Sequence, residues 1–261
     1  MHQQDCTKIS VKTLTPRPGR MTGMNHQTAV AERKSGSEVQ ALDPSTARSL
    51  AEQAHDALEE LIVTMKLAPG SVWNELSLAE MITIGRTPAR EAIKRLETEH
   101  LISIVPRHGV MISKIDLYEQ MQVVELRTPL ERLISRWAAV RCTSQERTQV
   151  LEMAEAFASP ARKQDALAYL RSVFSANTFI AQCARNPFAA ESIARLHTLS
   201  RRFFYCYHDP AKLGDFSDLH GERARAIASG NPEEAGLASD NLMKEVDAFT
   251  RSVVERTFGP A

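Results

Sequence analysis

The chain has 261 residues, 43% of them hydrophobic, and its 32 basic residues balance 32 acidic ones to a formal net charge of zero; it can therefore bury the cores of two modest domains. That balance excludes a nucleic-acid protein that is basic throughout and leaves room only for a local cationic patch. Four scattered cysteines (Cys6, Cys142, Cys183, Cys206) without a CxxC pair argue against a disulfide frame or zinc site and read as free thiols, and neither a membrane-length apolar run nor a secretory signal is evident, so a cytoplasmic location with no membrane partner is expected.

Residues 1–42 are polar, Gly/Ser/Thr-rich and aperiodic, with Lys8, Lys12, Arg17, Arg20, Arg33 and Lys34 among few large apolar groups. Such a segment buries too little surface to offset its ordering entropy, so a disordered tail is expected. Asp43-Pro44 then offers a cap and first turn for a helix from Ser45 to Lys66, with Leu50, Ala54, Leu58, Leu61, Ile62 and Met65 on one face and Ala68-Pro69-Gly70 ending it.

Leu78, Ala79, Met81 and Ile82 give the next helix an apolar face, and Thr83-Ile84-Gly85 breaks it, with Gly85 free to take a positive φ in the turn. Thr87 is expected to cap the following helix with Pro88 at its first position. Ala89, Ala92, Ile93 and Leu96 recur at core-facing spacing, which leaves Arg86, Arg90, Lys94 and Arg95 to solvent. Guanidinium forks at the start of a helix match guanine edges and phosphate oxygens in a DNA major groove, although the same charges also suit an ordinary solvated helix. Two β-prone runs, Leu101–Val105 and Val110–Ile112, flank Pro106-Arg107-His108-Gly109 and predict a hairpin whose tip suits phosphate or a minor groove. Helix-turn-helix plus hairpin is a winged helix, a far more specific pattern than either half.

The segments GRTPAREAIKRLETEHLI and VPRHGVMI resemble the DNA-binding domain of the GntR family of bacterial transcription regulators, and LIVTMKLAPGSVWNELSLAEM resembles its first two helices. The resemblance covers about residues 50–113. It implies DNA contacts from Arg86, Thr87 and Arg90, with His108 and Gly109 at the wing tip; Lys94 on the exposed helix face and Arg107 at the hairpin tip are further DNA-contact candidates from their charge and position. Leu76 stands where many members carry a DNA-contacting arginine, and Gly85 replaces a usual Ser or Thr, which implies an altered operator or a weaker phosphate grip.

Beyond Lys114–Leu117 the pattern is helical, with helices expected at about 116–141, 145–157, 163–184, 188–207, 216–229 and 232–257, broken at Ser159-Pro160, Asn186-Pro187 and Gly230-Asn231-Pro232. The expected architecture is mainly α: a disordered tail (1–42), a winged helix-turn-helix (43–113) and an all-α bundle (114–261). VVELRTPLERLISRWAA, AQCARNPF and LHGERARAIASGNPEEA resemble, in order, landmarks of the FCD effector domain of FadR-like GntR regulators. Many such domains hold a divalent metal on an aspartate and three histidines. By the resemblance those positions fall on Val173, Asn177, His220 and near Leu242 (beside Asn241), so one ligand of four remains and no metal cofactor is expected. A site rebuilt from His197, His208 and His220 is the disfavoured alternative.

The resemblance then implies a pocket for a small organic-acid effector such as a sugar acid or amino acid. Its candidate liners are Arg127, Asn177, Arg201, Arg202, Tyr205 and His220, since a bundle-facing Arg127 would need an anionic partner. The competing reading pairs Arg127 with Glu131, four residues on, at the surface. A homodimer on a palindromic double-stranded DNA operator is expected, with Leu130, Leu133, Trp137, Phe203 and Phe204 as candidate contacts and repression as the mode of action. The alternative, an enzyme whose catalytic helical domain is fused to a DNA-binding head with Glu222 beside His220 in acid–base roles, lacks a nucleophile–base pair, a phosphate loop or a dense ligand motif.

Overall fold

The computed structural model describes residues 48–259. The expected tail at 1–42 lies outside the described residues, as do Cys6 and the proposed cap at Asp43-Pro44. Helix α1 (Leu50–Val63) buries Ala54, Leu58 and Ile62. The chain then turns through Pro69-Gly70 into a short strand, β1 (Val72–Trp73), and enters α2 (Glu75–Met81), capped by the Asn74 side chain, which accepts from Ser77 N–H at 2.7 Å. Within α2, Leu78 and Ala79 face the core, whereas Met81 turns to solvent.

The turn between α2 and α3 (Arg86–Thr98) differs from expectation. Gly85 has an ordinary φ of −61°, and the left-handed residue is Thr83, at φ 57°. Thr83 N–H donates to Glu80 C=O, and Ile84 N–H reaches Ala79 C=O, each at 3.1 Å. These bonds satisfy the helix-end carbonyls in a Schellman arrangement with threonine at the usual glycine position. Ile84 packs on the core of the head. The cap is also displaced by two residues: α3 starts at Arg86, Gly85 occupies the N-cap without a side-chain bond, and Thr87 and Pro88 lie inside the first turn.

The wing consists of β2 (Ile102–Val105) and β3 (Gly109–Ile112), antiparallel, with Ile102 opposite Ile112 and Val105 opposite Gly109. β1 pairs with the other edge of β3, placing Val72 opposite Met111, so the sheet order is β1-β3-β2. This third strand has no sequence signature of its own. Two residues are too few to alternate, and β1 exists only because β3 offers it an edge. Leu58, Ile62, Leu78, Ile93, Leu96, Val110 and their neighbours form one apolar cluster beneath the recognition helix.

Six further α-helices follow among the described residues: α4 (Leu117–Arg141), α5 (Ser144–Arg162), α6 (Ala166–Cys183), α7 (Pro187–Tyr207), α8 (Leu213–Ser229) and α9 (Pro232–Phe258). Their starts follow local chemistry. Asp116 caps α4, Thr143 and Glu146 form a capping box on α5, and Asn186-Pro187 and Asn231-Pro232 open α7 and α9. Gly230, at φ 84°, ends α8. Ser159-Pro160 does not break α5, which continues to Arg162. A proline so near the helix end removes only one backbone donor, and Lys163 N–H and Asp165 N–H still bond to Ser159 and Pro160 carbonyls.

In the bundle, α4 packs along α9 and α5 along α8, while α6 and α7 close over a second apolar cluster that includes Ile134, Phe157, Tyr169, Phe203, Phe216 and Phe249. Phe203 is buried, and Phe204 packs against Phe216 and Phe249 with ring centroids 5.0 and 5.1 Å apart. Both phenylalanines are consumed by the core, so they are not surface dimer contacts. Cys142 and Cys183 are buried free thiols. Cys206 is disulfide-bonded, against the expectation of a free thiol there.

Candidate functional sites: the recognition helix and a charged cavity

On the head, α3 buries Ala89, Ala92, Ile93 and Leu96 and leaves Arg86, Thr87, Arg90 and Lys94 exposed on its other side. Arg90 Nε is tethered to Glu75 Oε2 at 3.0 Å, an exposed pair of little energetic weight. At the wing tip Arg107 takes φ 66°, and His108 Nδ1 lies 3.0 Å from the Pro106 carbonyl oxygen, so both side chains are presented outward. Gly109, expected at the wing contact, also has a backbone requirement of its own. Its φ is 110°, and a Cβ there would overlap the Trp73 carbonyl oxygen. The glycine is required by the close approach of β1, and it stands in the strand instead of at the tip.

In the bundle, a cavity of about 70 Å³ opens among α4, α6, α7, α8 and α9. Of the six residues expected to line it, Arg127, Asn177, Arg201 and His220 do so, while Arg202 and Tyr205 do not. The register of α7 is the reason: His197, Ser200, Arg201 and Phe204 follow helical spacing on the cavity side. Arg202 instead donates to the Ser113 carbonyl oxygen at the junction with the head. Burial pulls its pKa down to about 10, partly offset by Glu119.

Glu131, completely buried on α4, is the centre of the charged cluster. Its Oε1 accepts from Arg127 Nη2 at 2.9 Å and from His197 Nε2 at 2.6 Å, and its Oε2 accepts from Arg223 Nη1 at 3.1 Å. Arg223 Nη2 also donates to Asn177 Oδ1 at 3.0 Å. Burial alone would raise the Glu131 pKa, but Arg223, His197 and Arg127 hold it well below the carboxylate range. Burial keeps His197 below its ordinary value against the pull of Glu131. Burial, then the Arg223 charge, press His220 down to about 3. Both imidazoles are therefore neutral at physiological pH. The Arg127–Glu131 pair thus exists, but inside the protein and not at its surface.

Sequence reasoning did not single out Glu131 as a hub, nor Arg223 at all. The available signal was spacing: Arg223 lies three residues after His220 on one helix, as Glu131 lies four after Arg127.

The four positions that correspond to the family's metal ligands do converge, since Val173, Asn177, His220 and Leu242 all line this cavity. The residues present do not fit a cation. Two are hydrocarbon, Asn177 Oδ1 is already engaged by Arg223, and the Arg223 charge acts on the remaining histidine, where it would also oppose a cation. The alternative set does not assemble either. His197 and His220 line the cavity, but His208 sits at the end of α7, its Nδ1 2.9 Å from the Tyr205 carbonyl oxygen. Among the described residues, the groups spaced to share a metal ion are Cys142/Glu146/Cys183 and His55/Glu59/Glu99. Neither belongs to the cavity.

A winged helix with an exposed cationic recognition helix, continued by a helical bundle around a buried charged cavity, is the architecture of a DNA-binding protein with an attached helical domain. Comparison with known proteins makes this specific. Residues 50–112 match bacterial regulatory proteins of the gntR family, and residues 122–245 match the FCD domain. The Nta operon transcriptional regulator of Aminobacter aminovorans is 34% identical over 86 residues, 33% of this chain and 41% of that one. The HTH-type transcriptional regulator Mb0601 of Mycobacterium bovis is 24% identical over 242 residues, 82% of this chain and 97% of that one. Among solved structures, E. coli McbR/YncC superposes with a TM-score of 0.71 at 20% identity, covering 80% of this chain and 100% of that one. The chain belongs to the GntR family of transcriptional regulators and carries an FCD domain. These relatives are regulators, which removes the enzyme alternative. No helix among the described residues is long and apolar enough to cross a membrane.

Proposed function

We propose that this regulator is a cytoplasmic repressor whose affinity for a palindromic operator is set by a small anion held in the bundle cavity without a metal cofactor. The observation that carries this reading is Arg201, which lines the cavity and is hydrogen-bonded to Glu59 on the first helix of the head. In this reading residues 43–113 form the reading head and residues 114–261 the effector and dimer domain. Arg86, Thr87, Arg90 and Lys94 enter the major groove, and Arg107 and His108 meet the flanking backbone or minor groove.

A second copy of the chain completes the reader, because one small head has too little specificity alone. Leu126, Leu133 and Val140 recur seven apart on α4 and are 57%, 42% and 62% exposed, with Leu237 on α9 58% exposed. Such a stripe supports an isologous α4 contact that also takes the half-buried Leu130 and Trp137.

The test is fluorescence anisotropy on a selected operator. Arg86→Ala should weaken binding by about 1–3 kcal/mol, and wild-type protein should lose operator affinity when the cavity is filled. Equal operator binding with and without a ligand proven to occupy the cavity overturns the control mechanism.

A further inference from the structure

The cavity's charge and walls together narrow the ligand class, an inference that rests on the cavity being the effector site. Arg127 Nε, Arg201 Nε and Tyr169 Oη are buried without a hydrogen-bond partner, and all three residues line the cavity. Buried donors in this state mark a place where a partner is missing. Two guanidinium charges, Arg127 and Arg223, face one carboxylate, Glu131, while Arg201 is matched by Glu59 outside. With His197 and His220 neutral, the cluster holds one uncompensated positive charge.

Most of the remaining wall is hydrocarbon, with Leu170, Val173, Phe174, Leu242, Val246 and Phe249 foremost, and its polar side chains are engaged with one another: Gln120 Nε2 donates to Ser200 Oγ at 3.3 Å and Thr250 Oγ1 to the Val246 carbonyl oxygen at 2.8 Å. A volume of about 70 Å³ is small for a ligand site and restricts the occupant to a compact body.

We propose that the ligand is a monoanion with a compact apolar body, a short branched-chain or monocyclic aromatic monocarboxylate, with its carboxylate toward Arg127 and its hydrocarbon against Phe174 and Phe249. One negative charge neutralises the cluster, and a second would be buried without a partner. The several hydroxyls of a sugar acid would outnumber the unpartnered polar atoms of this wall, chiefly Tyr169 Oη and Arg201 Nε, and leave some of them buried without a bond. No cation is available to gather a polycarboxylate, because the converging positions hold Val173, Asn177, His220 and Leu242.

The experiment is calorimetric titration of the full chain with four probes: isovalerate, benzoate, citrate and gluconate. Isovalerate or benzoate should bind saturably and the polar acids should not. Arg127→Met should weaken that binding at least about tenfold, the loss expected for a charge-assisted bond. Glu131→Gln adds one positive charge to the cluster and should shift preference toward the dianion succinate. Should that variant fail to fold, the near-isosteric Val246→Thr must still weaken benzoate binding. Arg127-dependent binding of citrate or gluconate in preference to the monoacids overturns the ligand class and leaves the effector site standing. Binding of benzoate that ignores both Arg127→Met and Val246→Thr lies elsewhere and also overturns it. No heat with any of the four acids overturns the class and the site together.

Discussion

Arg201 on α7 donates from Nη2 to Oε1 of Glu59 on α1 at 2.7 Å, and each side chain is only 9% exposed. The same guanidinium lies 4.3 Å from the centre of the Phe174 ring in the cavity wall and 3.6 Å from Glu60 Oε2. One side chain therefore belongs both to the cavity and to the scaffold of the reading head. Arg171, which bonds to Glu60 at 2.6 Å, and Arg195, which donates to the Thr98 carbonyl oxygen at 3.2 Å, hold the same junction from outside.

In the proposed reading the ligand's hydrocarbon presses on Phe174, the ring beneath the Arg201 guanidinium, and so loosens the bond from Arg201 to Glu59. A wild-type response of about tenfold in operator affinity needs only about 1.4 kcal/mol of such differential binding. Arg201→Gln should abolish the response while lowering stability by about 2–4 kcal/mol, since Glu59 would be left buried without its partner. Anisotropy with and without saturating benzoate, paired with a thermal melt, reads both effects. An undiminished ligand response in the variant would show that the signal travels another way.

The head was legible because its information is local. The spacing of Ala89, Ala92, Ile93 and Leu96 specifies a buried face within one helix, and Pro106 to Gly109 specifies a hairpin within a dozen residues. The Asn-Pro and Asp starts of the bundle helices were legible for the same reason. The cavity was less so. Whether Arg127 and Glu131 form a surface pair or a buried one depends on α7 and α8 closing over them, and spacing along α4 says nothing about that. Arg202 and Tyr205 were misplaced because neighbouring positions on a helix face directions about 100° apart, and the register of α7 is set by packing.

Thr83 and Gly85 offer a direct stability test of the recognition turn. Thr83 is held at φ 57°, where a side chain is disfavoured, while Gly85 sits at φ −61° with only the Pro88 ring near its open side, 3.9 Å away. Thr83→Gly should stabilise the protein by up to about 1 kcal/mol by relieving the left-handed conformation. Gly85→Ala should be neutral or slightly stabilising, because alanine restricts the unfolded chain at a compatible position. Denaturant midpoints at unchanged slope measure both. A large loss in Gly85→Ala would mean that the turn differs from that described.

His55 on α1 and Glu99 after α3 form a pH-dependent clamp within the head, Nε2 to Oε2 at 2.7 Å. Burial would lower the His55 pKa, but the bond to Glu99 and its charge raise it above 6.5. Burial would raise Glu99, but His55 and then Arg95 lower it below 4.5. The histidine's contribution is complete below 6.5 and is lost as pH rises through its elevated value. The carboxylate's contribution is complete above 4.5 and is lost as pH falls through its depressed value. Wild type should therefore exceed His55→Gln by about 1–3 kcal/mol at about pH 5–6, with the gap closing toward about pH 9. A gap that stays constant over that range would mean that His55 acts only by packing.

Glu75 and Arg90 set up the sharpest test of the DNA interface, because their 3.0 Å pair ties a recognition-helix arginine to α2 in the free protein. In the proposed reading DNA binding releases Arg90 from that tether, and the pair is exposed enough to contribute at most about 1 kcal/mol. Arg90→Ala should therefore weaken operator binding by about 1–3 kcal/mol. Glu75→Gln should tighten it by up to about 1 kcal/mol, since it frees the guanidinium and removes a negative charge from the phosphate-facing surface. Arg86→Ala, with no such tether, should show the full loss without any compensating gain from the Glu75 change. Combining Glu75→Gln with Arg90→Ala distinguishes the two contributions to the gain. If the tether is the cause, the benefit of Glu75→Gln vanishes once Arg90 is gone. If it persists unchanged, the effect of Glu75 is long-range charge alone, and its dependence on salt will show it.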